Sequence, residues 1–300
     1  MSMFTGLSSF VLTPMNEQRI DESSFTKLIQ RLAEAKVDSI GVMGSTGNYA
    51  YLSREERKHV LELAVDAADG IPLITSIGAV RTRQILELAE DAQNAGAKAL
   101  LLAPVSYQKL REEEVFGLYK TVCDNISVPL CIYDTPFTTQ FVFSDELHAR
   151  LAQLPNVAAI KLPGVPSIPA DEQQAVERIG RLRSLIPSHI AIGISHDIRV
   201  APGLNAGCDV WFSVLGGLFP RMCQDMVEMA RKGQHEQLTA ASERLQPLWS
   251  LFEQYGDLRI IAMLASKLGL TEINNLPLPL LQPLDTHVAA QLDSIIPLLY

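Results

Sequence analysis

The chain has 300 residues, 47% of them hydrophobic, with a mean hydropathy of +0.13, which is enough to bury one large core or two modest ones. A formal net charge of −9 and a pI near 5.2 count against non-specific nucleic-acid or anionic-membrane binding, because both need clustered Lys and Arg. No run of roughly 18 apolar residues occurs, and Met1-Ser2-Met3-Phe4 lacks the charged start and long apolar stretch of a signal peptide, so a cytoplasmic protein is expected.

Taken in order, short apolar runs alternate with longer amphipathic segments. Strands are expected at Leu7 to Leu12, Ser39 to Met43, Leu73 to Ile77, Ala99 to Leu102, Leu130 to Tyr133, Val157 to Lys161, Ile190 to Ile194 and Val210 to Val214. Helix signals fall between them. Asp21 precedes Phe25, Leu28, Ile29 and Leu32 at helical spacing, Ser53-Arg54-Glu55-Glu56 reads as a capping box, and Arg81 to Ala95 is stopped by Gly96. Arg111 followed by Glu112, Glu113 and Glu114 reads as an acidic first helical turn rather than a metal site. Eight such units with no GxGxxG fingerprint after the first strand predict a closed (β/α)8 TIM barrel over residues 1–232.

Beyond Pro220 the strand signals stop. Helices are expected at Met222 to Lys232, Glu236 to Tyr255, Leu258 to Leu268 and His287 to Leu298, with a rigid connector at Leu276-Pro277-Leu278-Pro279-Leu280-Leu281-Gln282-Pro283. Residues 233–300 therefore form a helical region packed on the barrel or on another subunit. Cys123, Cys131, Cys208 and Cys223 contain no C-x-x-C pair, which favours buried thiols in a reducing compartment over disulfides or zinc.

In such a barrel the chemistry sits at the C-terminal ends of the strands. There the second strand runs into Gly44-Ser45-Thr46-Gly47-Asn48, the fourth into Ser106-Tyr107, the fifth into Tyr133-Asp134-Thr135-Pro136, the sixth into Lys161 and the seventh into Ser195-His196-Asp197. Lys161 has two readings. Either the strand stops at Ile160 and the lysine points into water, or its amine is enclosed by apolar residues that favour the neutral, nucleophilic form able to condense with a carbonyl. Tyr133 has two as well, a core tyrosine with one hydrogen bond or a proton donor and acceptor beside Lys161. His196-Asp197 reads as a substrate contact or a cap by Asp197 rather than a metal pair, since the six histidines are scattered and no metal is called for. Gly216-Gly217 after the eighth strand either holds a phosphate or lines the pocket.

Gly44-Ser45-Thr46-Gly47, Tyr107, Tyr133-Asp134-Thr135-Pro136 and Ile160-Lys161 resemble, in this order, the G-[ST]-[TS]-G-E, second-tyrosine, Y-N-x-P and I-K motifs of the dihydrodipicolinate synthase and N-acetylneuraminate lyase family of class I aldolases. The resemblance covers nearly the whole chain. It implies that Lys161 forms a Schiff base with pyruvate or another 2-oxo acid, without a cofactor. It also implies that Tyr133 shuttles protons, that Ser45 and Tyr107 extend the hydroxyl relay, and that Thr46, Gly47 and nearby N–H groups hold the carboxylate. Tyr107 in such proteins enters the neighbouring subunit's site, which implies a homo-oligomer, commonly a dimer of dimers.

Thr138, Ser195, His196 and Phe212 are expected to shape the pocket of a second substrate, an aldehyde or sugar acid. Three positions depart from the pattern: Asn48 replaces the glutamate, Thr138 an arginine that binds the carboxylate of aspartate semialdehyde, and Leu162 a polar residue. Threonine cannot make a bidentate ion pair, so the expectation is a Schiff-base lyase on 2-oxo acids that is not a true dihydrodipicolinate synthase. The alternatives are a dehydratase or hydratase of a 2-oxo-3-deoxy sugar acid through the same imine, a non-catalytic 2-oxo acid sensor, and a phosphate-binding isomerase.

Overall fold

A computed structural model describes residues 3–282 and 286–300; Met1, Ser2 and Pro283, the last residue of the predicted connector, lie outside the described residues. Eight parallel strands close into a barrel: β1 Gly6–Phe10, β2 Ser39–Val42, β3 Leu73–Ser76, β4 Ala99–Leu102, β5 Leu130–Tyr133, β6 Val157–Leu162, β7 Ala191–Ser195 and β8 Val210–Ser213, with β8 pairing back onto β1. The (β/α)8 TIM-barrel fold is thus as expected. Closure leaves no sheet edge, so every strand's ladder is paired on both sides.

The barrel helices are α1 Glu22–Ala35, α2 Arg54–Ala67, α3 Thr82–Ala95, α4 Glu112–Cys123, α5 Pro136–Thr139, α6 Asp145–Leu151, α7 Glu172–Leu185, α8 Val200–Asn205 and α9 Pro220–Arg231. Their starts follow local chemistry. The Asp21 carboxylate accepts from Ser24 N–H at 3.1 Å, and Ser53 and Glu56 make a reciprocal capping box. Gly96 ends α3 at φ 102°, a left-handed conformation that costs glycine little. Phe25, Leu28, Ile29 and Leu32 of α1 are fully buried, so its apolar stripe faces the sheet.

Beyond the barrel lie α10 His235–Arg244, α11 Gln246–Tyr255, α12 Asp257–Lys267 and α13 Thr286–Ile295. The single helix expected over Glu236 to Tyr255 is two, broken at Leu245, where Pro247 in the first turn of α11 brings no N–H to continue the preceding ladder. α10 packs on α8 and α9, while α11 packs against the turn at Asp197–Arg199 that follows β7. That second contact brings helical residues to the rim at the C-terminal ends of the strands.

Two packed layers make the core. One fills the space between sheet and helices; the other, with Phe10, Leu101, Tyr133, Ala159 and Phe212, fills the barrel interior. The interior is small at selected points so that rings fit. A Cβ on Gly41 would lie 2.5 Å from the Phe10 ring, and one on Gly193 only 2.2 Å from the Phe212 ring. Cys123, Cys131, Cys208 and Cys223 are buried free thiols.

Candidate active site

Tyr133 and Lys161 are register partners on β5 and β6. In-register residues of neighbouring parallel strands point to the same face, so both side chains enter the barrel mouth. β6 continues through Leu162, and Lys161 is only 4% exposed, which removes the reading of a strand that ends at Ile160 with its lysine in water. The Lys161 Nζ lies 3.9 Å from the Phe10 ring centroid, 4.0 Å from that of Tyr133 and 5.7 Å from that of Phe212. Phe10 and Phe212 meet edge to face at 5.8 Å and form the floor. Among the described residues no carboxylate lies within 4.0 Å of this nitrogen.

The Ser45 hydroxyl is 3.1 Å from the Tyr133 hydroxyl, which makes the expected link between the Gly-rich loop and the phenol. Thr46 lines the same cavity, of about 500 Å³, together with Thr138, Ser195, His196 and Phe212. A groove of about 550 Å³ between α1, α9 and the chain's end holds none of these groups and no convergent chemistry comparable to Lys161.

Several expected residues have structural roles, in Ser195 and Thr138 alongside lining the pocket. Gly47 does not face the cavity; a Cβ there would lie 2.6 Å from the Met43 backbone nitrogen, so its role is to let the loop fold onto itself. Asn48, at φ 57°, occupies the left-handed region that asparagine tolerates, and its amide donates to the Thr13 carbonyl at 3.0 Å. Tyr107 is 92% exposed and does not reach the cavity of its own chain. Ser195 donates to the Leu162 carbonyl at 2.8 Å, tying β7 to β6, and the Thr138 hydroxyl shares a 2.9 Å bond with Thr135.

Asp197 accepts from the Trp211 indole at 2.8 Å and from Leu215 N–H at 2.7 Å, which caps the turn after β8. Burial pushes its carboxyl up to about 7, while those two donors pull it down. Gly216 N–H is already bonded to the Ser213 hydroxyl, and a Cβ on Gly217 would meet the Phe10 carbonyl at 2.6 Å. The phosphate reading of Gly216-Gly217 fails for that reason, since the loop packs on β1 instead.

Cavity residues to which the sequence reading gave no role include Phe10, Glu253 and Asp257, and Asp134, which it placed on the rim only as part of a motif. Phe10 left a faint signal in the glycines opposite it. Glu253 and Asp257 left none, because a helical tail docks on the rim only through tertiary packing. His196 feels them. Burial lowers its pKa, Asp257 and Glu253 raise it, and Arg199 lowers it. Among the described residues no group of three His, Cys, Asp or Glu side chains is placed to hold a metal ion, and no helix is long and apolar enough to cross a membrane.

The model of the Dihydrodipicolinate synthetase family matches residues 3–297. The chain belongs to this family. It is 30% identical over 256 residues to the 4-hydroxy-tetrahydrodipicolinate synthase of Nitrobacter hamburgensis, which covers 84% of this chain and 83% of that one. It is 32% identical over 247 residues to that of Haloarcula marismortui, covering 82% of this chain and 78% of the relative. Among solved structures, the dihydrodipicolinate synthase of Agrobacterium tumefaciens superposes with a TM-score of 0.93 at 41% identity, over 99% of both chains.

As a dihydrodipicolinate synthetase family member, the protein is a pyruvate-dependent class I lyase, of a family that uses pyruvate and an aldehyde. The expectation of an aldolase other than a true dihydrodipicolinate synthase is corrected by these relatives, which carry the synthase name. It rested on the departures at Asn48, Thr138 and Leu162, chiefly on the arginine missing at position 138. Glu253 and Asp257, brought in from the helical region, add negative charge to the cavity and do not take the place of that arginine.

Proposed function

We propose that this protein joins pyruvate to aspartate 4-semialdehyde, the reaction of a 4-hydroxy-tetrahydrodipicolinate synthase. The observation that carries the reading is the Lys161 amine, 4% exposed between the Phe10 and Tyr133 rings, in a cavity whose phenol is already bonded to Ser45.

In this reading the Lys161 amine adds to the keto carbon of pyruvate. The carbinolamine loses water with the Tyr133 hydroxyl as proton donor, leaving an imine that acts as an electron sink. Loss of a methyl proton gives an enamine, whose carbon attacks the aldehyde. The amino nitrogen of the semialdehyde then displaces Lys161 from the imine carbon, closing the ring and freeing the amine. Thr46 and the loop N–H groups hold the pyruvate carboxylate. Glu253 and Asp257 offer carboxylates to the ammonium of the second substrate, which suits an amino aldehyde.

The catalytic groups come from the barrel, residues 1–232, and one wall from the helical region, residues 233–300. A cytoplasmic dimer of dimers belongs to the same reading. Its support is Tyr107, a large aromatic 92% exposed on the rim that has work to do only in a neighbouring subunit's site.

Borohydride reduction in the presence of pyruvate should add the mass of the reduced pyruvate imine to the peptide containing Lys161, and pyruvate consumption should require aspartate 4-semialdehyde. An unmodified Lys161 at saturating pyruvate overturns the imine. A modified Lys161 with no turnover of the semialdehyde overturns the choice of second substrate.

A further inference from the structure

Directly behind Tyr133 lies a buried acid and base pair that the reaction above does not use. Asp134 is 3% exposed and His148, on α6, is 1% exposed; Asp134 Oδ2 and His148 Nε2 are 3.5 Å apart. The imidazole stacks flat on Phe143, with centroids 5.1 Å apart and planes 2° from parallel. Asp134 Oδ1 and both imidazole nitrogens make no hydrogen bond. The Asp134 N–H, in contrast, donates to the Lys161 carbonyl at 3.1 Å, so this residue joins the ends of the two catalytic strands and lines the cavity.

A buried carboxylate needs donors or a cation. Asp197, equally buried, has two N–H donors, whereas Asp134 has none on its side chain. Most charged and titratable groups around the pair have other partners. The Arg178 guanidinium on α7, which draws the Asp134 carboxyl downward, is bonded through one nitrogen to Asp145 at 2.7 Å, its Nη1 being buried with no hydrogen bond to Asp134 or any other group among the described residues, and Arg181 holds the same carboxylate at 3.0 Å. The Tyr119 hydroxyl on α4 donates to the Leu102 carbonyl. Cys131 of β5 is a buried thiol, and the Lys161 amine on β6 points into the aromatic box. At 3.5 Å the pair is also longer than a charge-assisted contact, which closes to about 2.7–2.9 Å.

We propose that Asp134 is a positioning residue that works as a neutral carboxylic acid facing a neutral His148, and that its lack of charge lets the end of β5 stay tied to β6 by the Asp134 N–H bond to the Lys161 carbonyl, which keeps the Tyr133 phenol against Lys161. Burial drives both groups the same way, the Asp134 carboxyl up to about 7 and the His148 imidazole down to about 3. When Asp134 loses its proton to solvent, a carboxylate without donors is left behind the phenol and is drawn toward water in the cavity, taking the strand end with it. The sign for stability follows. The folded state keeps a proton that an unfolded aspartate gives up near pH 4, so this contribution is present below that pH and is lost as pH rises to about 7.

The inference rests on the Lys161 and Tyr133 reading, and its test separates the two. For the wild-type protein, kcat measured from pH 5 to 10 with pyruvate and the semialdehyde should fall about tenfold or more along a limb centred near neutrality. In Asp134→Asn, isosteric and unable to ionise, that limb should vanish while Lys161 still traps pyruvate under borohydride. Infrared difference spectra of the wild type should contain a protonated-carboxyl band at pH 6 that is lost by pH 9 and that persists in Asp197→Asn, which removes the other buried carboxyl pushed up to about 7. That second measurement stands even if the variant does not fold. A limb that persists in Asp134→Asn, or a wild type without the band at pH 6, overturns the proposal; failure of trapping at every pH overturns the imine reading instead.

Discussion

Tyr133→Phe removes one oxygen and leaves everything else in place. The ring that packs 4.0 Å from the Lys161 nitrogen remains, and so does its burial, so the box around the amine keeps its shape. What goes is the hydroxyl and its 3.1 Å bond to Ser45. For stability that is one partly buried hydrogen bond, a loss of about 0.5–1.5 kcal/mol. In the proposed reaction it is also the proton donor for carbinolamine dehydration and for each later transfer. Positioned acid and base groups contribute about 10²–10⁴ in rate, or ~3–5 kcal/mol at 1.36 kcal/mol per tenfold. The expected result is a kcat lower by that factor, a pyruvate KM within about threefold of wild type, and near-normal thermal unfolding. Ser45→Ala should act through the same bond, so the double variant should be far less than additive in kcat. A Tyr133→Phe enzyme within about tenfold of wild-type kcat would refute the claim that this phenol moves the protons.

Gly47→Ala places a methyl 2.6 Å from the Met43 backbone nitrogen, a contact only a loop shift relieves; pyruvate KM should rise and stability fall by about 1–3 kcal/mol, read by denaturant titration. Tyr107→Ala should leave unfolding of a subunit unchanged yet lower kcat, and mixing it with Lys161→Ala subunits should restore part of the activity by forming sites intact in both residues. A mixture as inactive as its components would count against a shared site. Trp211→Phe strips one of two N–H donors from Asp197, at a cost of about 1–3 kcal/mol. The donor favours the anion and Asp197 is pushed up to about 7, so the loss should be full above that pH and fade as pH falls through it, as urea unfolding at pH 5 and pH 8 would reveal.

Much of the architecture was legible before any coordinates. Each strand carries a buried apolar run, and the caps at Asp21, Ser53 and Gly96 are satisfied by atoms within a few residues, so local chemistry is enough to place the elements. The pairing of Tyr133 with Lys161 was also readable, because regular strand spacing in a closed barrel sends successive strand ends to one rim. Thr138 misled for a related reason. Absence of an arginine there, with Asn48 and Leu162, was too narrow a ground to exclude the synthase reaction, and the carboxylates that α11 and α12 bring to the cavity are anions that do not take over an arginine's role.

The order of the elements and the placing of Lys161 and Tyr133 at neighbouring strand ends are thus legible in the sequence, since short-range propensity and strand periodicity specify them. Three things belong to the tertiary structure alone: the aromatic box of Phe10 and Phe212, the docking of Glu253 and Asp257 on the rim, and the meeting of Asp134 with His148. Each joins residues from different elements of the chain. No local pattern encodes such contacts, because they depend on how closed strands and packed helices divide the space between them.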